Sequence, residues 1–169
     1  VTVEWLLANA KDPDLVVLDL QPPQGYQRAH FPGAVSADYG RWRTSGKGGK
    51  LKVMPPVEQM EKLIGGLGID NNTQVVLTPL GQGAGDMASA ARIYWTFKAL
   101  GHDKVSILDG GLVGYAQGGR NRPLERKANR PQPKNFKAAP RKEYLLTKDD
   151  VMNSLMGGVT MVDSRSRAE

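Results

Sequence analysis

Few residues of this chain could do chemistry, and what is missing says as much as what is present. Gly81, Gly83 and Gly85 alternate in a loop that begins Pro79-Leu80, follows the short apolar run Gln74–Thr78 and leads into a helix-forming stretch. A glycine loop between a strand and a helix can turn backbone N–H groups and a helix N-terminus toward an anion. The spacing is not the G-x-G-x-x-G of a dinucleotide site, which disfavours a nucleotide and leaves a degenerate anion loop or a purely structural turn. No cysteine occurs in the 169 residues, so disulfides, thiolate metal sites and a thiol nucleophile are excluded from them. Pro79 and Leu80, the first residues after the run, cannot attack an electrophile, and proline has no N–H to donate.

The remaining candidates are scattered. His30, before Phe31-Pro32-Gly33, reads as a partly buried residue bonded to nearby backbone. His102, after Gly101, reads as a partner for a helix C-terminal dipole. Neither has an acidic cluster beside it, so no metal site is expected, and no cofactor is implied. Trp42, Arg43 and Met87 are candidate walls of a cleft, although Trp42 could equally anchor its loop to a sheet. On the helix carrying Arg92 and Trp95, the expectation is a packed tryptophan and an arginine paired with an acid.

These residues need elements to hold them. Leu15–Leu20, Gln74–Thr78 and Val105–Leu108 are short, nearly all-apolar runs, the pattern of parallel strands buried on both faces. Val35–Asp38 is a further extended piece. Between them, Val3–Ala10, Gln24–Ala29, Val57–Leu67, Met87–Leu100 and a stretch ending at Gly118 carry helical spacing. Thr2 is a candidate N-cap, and Gly101 suits a C-cap. Strand and helix in alternation predict an α/β domain over residues 1–119, a central, mainly parallel sheet with helices on both faces.

Residues 120–143, basic and proline-rich without hydrophobic periodicity, read as a linker. The pattern then restarts over 144–169. Thr147 and Asp150 form a capping box for a helix reaching Met156, and Val159–Asp163 reads as a strand. This order repeats that of Trp5 to Asp19, and Asp163 follows Asp19 at a domain's distance, which suits duplication of a whole domain. The second copy is expected to be incomplete and the chain a piece of a tandem protein.

Net charge is +6, with 23 Lys and Arg against 17 Asp and Glu. The cations cluster over Arg41–Lys52 and Arg120–Lys142, without the interleaved aromatic rings that stack bases. Solvated loops are therefore favoured over a nucleic-acid groove. No apolar run approaches a membrane span. Neither nucleic acid nor membrane is an expected partner. The compartment is left between periplasm and cytoplasm, with a slight lean to the periplasm from the missing thiols.

Three patterns together resemble one family. Leu15–Asp19 followed by Ala29-His30-Phe31-Pro32-Gly33-Ala34 is similar to the strand and Gly-His-Ile-Pro-Gly-Ala signature of rhodanese domains, with Ala29 and Phe31 as departures. Val105–Gly111 resembles that family's Val-x-x-Leu-Asp-Gly-Gly, and Met161-Val162-Asp163-Ser164-Arg165 resembles the opening strand of another such domain. The resemblance implies a rhodanese fold and the N-terminal, non-catalytic half of a tandem thiosulfate or mercaptopyruvate sulfurtransferase. It implies a degenerate active-site loop at Pro79, Leu80, Gly81, Gly83 and Gly85, with the nucleophile position held by Pro79 or Leu80. It further implies a cysteine-bearing C-terminal rhodanese domain as partner and small sulfur-containing anions as ligands. The family's acid and histidine for mercaptopyruvate are matched by Gly40 and Lys52, which tilts the donor toward thiosulfate. The alternative is an inactive rhodanese-fold module kept for binding or regulation, and a phosphatase on the same fold is remoter because it also requires a cysteine.

Overall fold

The structure, a computed structural model, describes residues 1–46, 48, 52–155 and 157–162. Its centre is a four-stranded sheet in the order β2-β1-β3-β4, every neighbouring pair parallel. The strands are β1 (Leu15–Asp19), β2 (Val35–Ser36), β3 (Gln74–Thr78) and β4 (Val105–Ile107). Side chains alternate across a strand, so one face carries Leu18, Val75, Leu77 and Val105 and the other Val17 and Val76. Both faces are covered, which is why the strands read as continuous apolar runs.

The first face packs on α3 (Val57–Gly66) and α4 (Ala84–Ala99) through Met60, Ile64, Ile93 and Phe97. The second packs on α1 (Val3–Asn9) and α5 (Gly111–Ala116) through Leu6, Leu112 and Tyr115. A shorter α2 (Pro23–Arg28) buries Tyr26. Thr2 caps α1 as expected, its hydroxyl accepting from Trp5 N–H. Two expected bounds shift: α4 begins three residues earlier than Met87, and β2 ends at Ser36 because a 3₁₀ turn, Tyr39–Trp42, follows.

The basic segment after the domain is not a solvated tether. Residues 123–141 lie against the domain as a strap. Glu125 exchanges two backbone hydrogen bonds with His30, Lys134 N–H donates to Gly65 C=O, and Ala139 and Arg141 donate to Leu100 and Ala99. Phe136 is buried in the first core beside Trp42 and Phe97. Three of the cations that suggested solvation are paired: Lys134 with Asp70, Lys137 with Glu61, and Arg141 with both oxygens of Asp103. Gly65 admits the strap, for a Cβ there would meet Lys134 O at 2.4 Å. Gly101 does both jobs. Its φ of +87° ends α4, and Ala139 O comes within 2.5 Å of where its Cβ would stand.

Beyond the strap, α6 (Lys148–Leu155) forms with the expected cap. Thr147 Oγ1 accepts from Asp150 N–H at 3.2 Å, and Asp150 Oδ2 accepts from Thr147 N–H at 2.7 Å. Residues 159–162, expected as a strand, have no strand partner, and Met156 and Asp163, also named in those expectations, lie outside the described residues.

Candidate functional site

The loop after β3 is shaped by contact with a second glycine loop. Gly81 has φ +84°, and a Cβ on it would sit 2.3 Å from Gly110 O; Gly111, with φ +58°, approaches Pro79 O equally closely. Only glycines permit this approach. It lets the first turn of α5 donate into the loop: Leu112 N–H to Pro79 C=O at 2.9 Å and Val113 N–H to Leu80 C=O at 3.0 Å. The Leu108-Asp109-Gly110-Gly111 pattern thus fixes the β3–α4 loop. Gly83 and Gly85 have open space where a Cβ would be, so their alternation with Gly81 has no steric cause.

Pro79 is buried and Leu80 half-buried, at the position where the loop leaves the sheet. The N-terminus of α4 follows, with Gly83 as N-cap offering no side-chain bond. A carboxylate already occupies this end of the helix. Asp86, in the first turn of α4, accepts from Gln82 N–H at 2.9 Å, satisfying an amide that would otherwise face an incoming anion. Asp86 then joins Asp38, Tyr39, Leu20, Gln21 and Ser89 around a cavity of about 290 Å³. Ser89 donates its hydroxyl to Gly85 C=O at 3.0 Å. The cavity walls hold two carboxylates and no cation, thiol or histidine. Neither Asp38 nor Asp86 was singled out from sequence; an acid three residues past the N-cap glycine was the available signal.

At the end of β1 the buried Asp19 accepts from Gln21 N–H (2.9 Å) and from Gln21 Nε2 (3.0 Å). Burial pushes the Asp19 carboxyl up, opposed by those two bonds and weakly by His30. Gln21 stands two residues after Asp19, where the repeated sequence has Arg165 two residues after Asp163. This copy therefore has a neutral amide where the other has a cation.

The cleft-wall candidates do not come together. Trp42 is fully buried, packs at 5.4 Å from Phe97 and donates its indole N–H to Ala37 C=O, so it anchors its loop and can line no cleft. Arg43 faces a separate recess with Thr44, Ser45 and Lys52, and Met87 is exposed on α4 outside the 290 Å³ cavity. Gly40 lies on that cavity, while Lys52 lies on the recess. His30 is wholly rather than partly buried, stacked on Tyr26 with Nδ1 at 2.7 Å from Tyr26 O. His102 is no exposed dipole partner: it is buried between Phe97 and Phe136, and desolvation holds its imidazole below the usual histidine range, against the charged form such a role needs. Arg92 lacks the expected acid. Its guanidinium stacks on Trp95 at 4.2 Å and has no carboxylate partner among the described residues. The described residues also bring no three metal-ligating side chains together, and none of their helices is long and apolar enough to cross a membrane.

An all-parallel sheet covered on both faces, with a strand-to-helix loop held by Asp-Gly-Gly, defines a rhodanese-type domain. The Rhodanese-like domain family matches residues 2–117, and the chain belongs to that family. It is 38% identical over 128 residues to thiosulfate/3-mercaptopyruvate sulfurtransferase 2 of Arabidopsis thaliana, covering 70% of this chain and 36% of that protein. It is 31% identical over 182 residues to the thiosulfate sulfurtransferase of Rattus norvegicus, covering 99% and 59%. Its fold superposes on SseA of Escherichia coli, a 3-mercaptopyruvate sulfotransferase, with a TM-score of 0.80 at 24% identity over 99% of this chain and 66% of that one. The chain spans roughly a third to three fifths of the length of such curated relatives.

Proposed function

We propose that this chain is the N-terminal, non-catalytic part of a tandem sulfurtransferase that moves sulfane sulfur from thiosulfate to a thiophilic acceptor such as cyanide. The observation that carries the reading is the β3–α4 loop. It offers proline and leucine where a nucleophile would stand, and its Gln82 amide is already bonded to Asp86. A persulfide needs a thiolate and free amide donors to hold its charge. No thiolate is supplied here, one of the loop's amides is taken by Asp86, and a neighbouring pair of carboxylates opposes a thiosulfate dianion. The chemistry then belongs to a cysteine in a following rhodanese domain, opened by the second copy at residues 144–169. That thiolate takes the outer sulfur of thiosulfate and releases sulfite; cyanide removes the sulfur as thiocyanate and restores the thiolate. The present domain serves as partner and cleft wall to that one. Alignment of almost the whole chain, strap and second copy included, with a thiosulfate sulfurtransferase supports the tandem reading.

The test is thiocyanate production from thiosulfate and cyanide. The 169-residue chain is expected to give none above background, and a chain continued through the next domain is expected to turn over with saturation. A continuation without a cysteine after a buried strand would replace this reading with that of a binding module. Saturable turnover by the 169 residues alone would show the nucleophile argument to be wrong.

A further inference from the structure

Between Asp38 and Glu58 the chain carries five cations, Arg41, Arg43, Lys47, Lys50 and Lys52, and no acid. In the strap, Lys134, Lys137 and Arg141 find carboxylates. Arg43 does not. Its guanidinium lies 4.9 Å from the Tyr39 ring centroid, Nε donates to Tyr39 Oη at 3.2 Å, and Nη1 donates to Trp42 C=O. The face of the group and two of its nitrogens are thereby fixed. Nη2 is buried and has no hydrogen-bond partner among the described residues. An arginine so oriented, with one nitrogen unsatisfied, leaves a donor whose desolvation is uncompensated.

That arginine faces a recess of about 260 Å³ lined also by Thr44, Ser45 and Lys52. A two-residue antiparallel bridge, Thr44 N–H to Val53 C=O (3.0 Å) and Val53 N–H to Thr44 C=O (2.9 Å), closes the neck of the basic loop and brings Lys52 to the same recess as Arg43. Lys52 has φ +56°, the left-handed conformation that a residue with a Cβ adopts at a cost. Such strain gathers at ligand clamps.

We propose that Arg43 and Lys52, with the hydroxyls of Thr44 and Ser45, bind a small tetrahedral oxyanion, the class that includes sulfate, phosphate and thiosulfate. The chemistry fits: Arg43 gives its face to an aromatic ring and two nitrogens to the protein, its Nη2–H is left to donate, and Lys52 adds a second positive charge for the oxyanion oxygens. Two hydroxyls supply further donors, and the recess exceeds the volume of one such ion. The site is distinct from the Asp38–Asp86 cavity, whose charge has the opposite sign, and it does not depend on the sulfur-transfer reading.

The experiment is NMR titration of the 169-residue chain with sulfate, phosphate and thiosulfate in turn, ionic strength held constant with sodium chloride. Saturable shifts are expected at the Thr44 and Ser45 amides and at the Arg43 side-chain Nε–H, and a preference among the three ions identifies the source. Arg43→Gln should weaken binding at least tenfold and Arg43→Lys less, with an unchanged fold fingerprint in the spectrum. Should either variant lose that fingerprint, Lys52→Ala and Thr44→Val, both on exposed residues, carry the same test. Shifts that grow without saturating, or a dissociation constant that the variants leave unchanged, would overturn the site. So would saturation by an acidic peptide with none by the inorganic ions.

Discussion

The strap at residues 123–141 and the helix α6 that follows it invert what their sequences suggest. The strap has no periodicity, six basic residues and four prolines, yet it buries Phe136 and makes backbone hydrogen bonds to three distant elements. Helix α6 has an N-cap, a capping-box acid and an apolar stripe, yet none of its described residues is buried, and Met152 and Leu155 are more than half exposed. Local order and tertiary anchoring are thus separate properties. A cap makes a helix out of eight residues, whereas only complementary holes elsewhere make an irregular segment part of a core. The strap is held by single side chains entering sites that other elements leave open.

The largest effect should come from Phe136→Ala. Phe136 fills the space between His102 and the first core, and a buried phenylalanine cut to alanine costs about 3–5 kcal/mol. Urea unfolding of the 169-residue chain should show a loss of that size. A loss below about 1 kcal/mol would mean that the strap merely lies on the domain, and the comparison would collapse.

A finer test uses adjacent glycines near the end of α3. A Cβ on Gly65 would strike Lys134 O at 2.4 Å, whereas one on Gly66 meets nothing within 4 Å. Gly65→Ala should therefore destabilise by roughly 1–3 kcal/mol through displaced backbone. Gly66→Ala should be neutral or stabilise by about 0.5–1 kcal/mol, because alanine loses less freedom in a helix. Equal effects of the two substitutions in thermal melts would contradict close docking of the strap.

Much of the domain was legible because its signals are local. Leu15–Asp19 and Gln74–Thr78 are apolar along their length, with buried polar residues only at their last positions, Asp19 and Thr78, and Thr2 and Thr147 cap where their spacing says they should. The strap was not legible, since Phe136 is one aromatic residue among cations and the gaps at Gly65 and Gly101 lie tens of residues away. Those glycines were visible, but a glycine that ends a helix and one that admits another backbone look alike in sequence. The site was half legible. Pro79 and Leu80 announced a missing nucleophile, while the carboxylate of Asp86 on the Gln82 amide depends on the turn geometry that Gly81 allows. Arg92 was expected to have an acid partner because most helical arginines can reach one, and the chain from Tyr39 to Val57 that packs nearby contains none.

The smallest effect belongs to α6 and sharpens the comparison from the other side. Thr147→Ala removes the hydroxyl that accepts from Asp150 N–H and that donates to Asp150 Oδ2 at 2.6 Å. The hydrogen bonds from the Thr147 hydroxyl and N–H hold the Asp150 carboxyl below the usual carboxylate range, and that depression should shrink when the hydroxyl, its larger cause, is removed. Lost caps weaken helices modestly, so amide protection across residues 148–155 should fall about fivefold. The global melting midpoint should not move, because α6 contributes no buried residue to either core. Hydrogen exchange read together with a melt separates the two quantities. A midpoint that fell along with the local protection would mean that α6 is coupled to the domain, and that the contrast with the strap is one of degree.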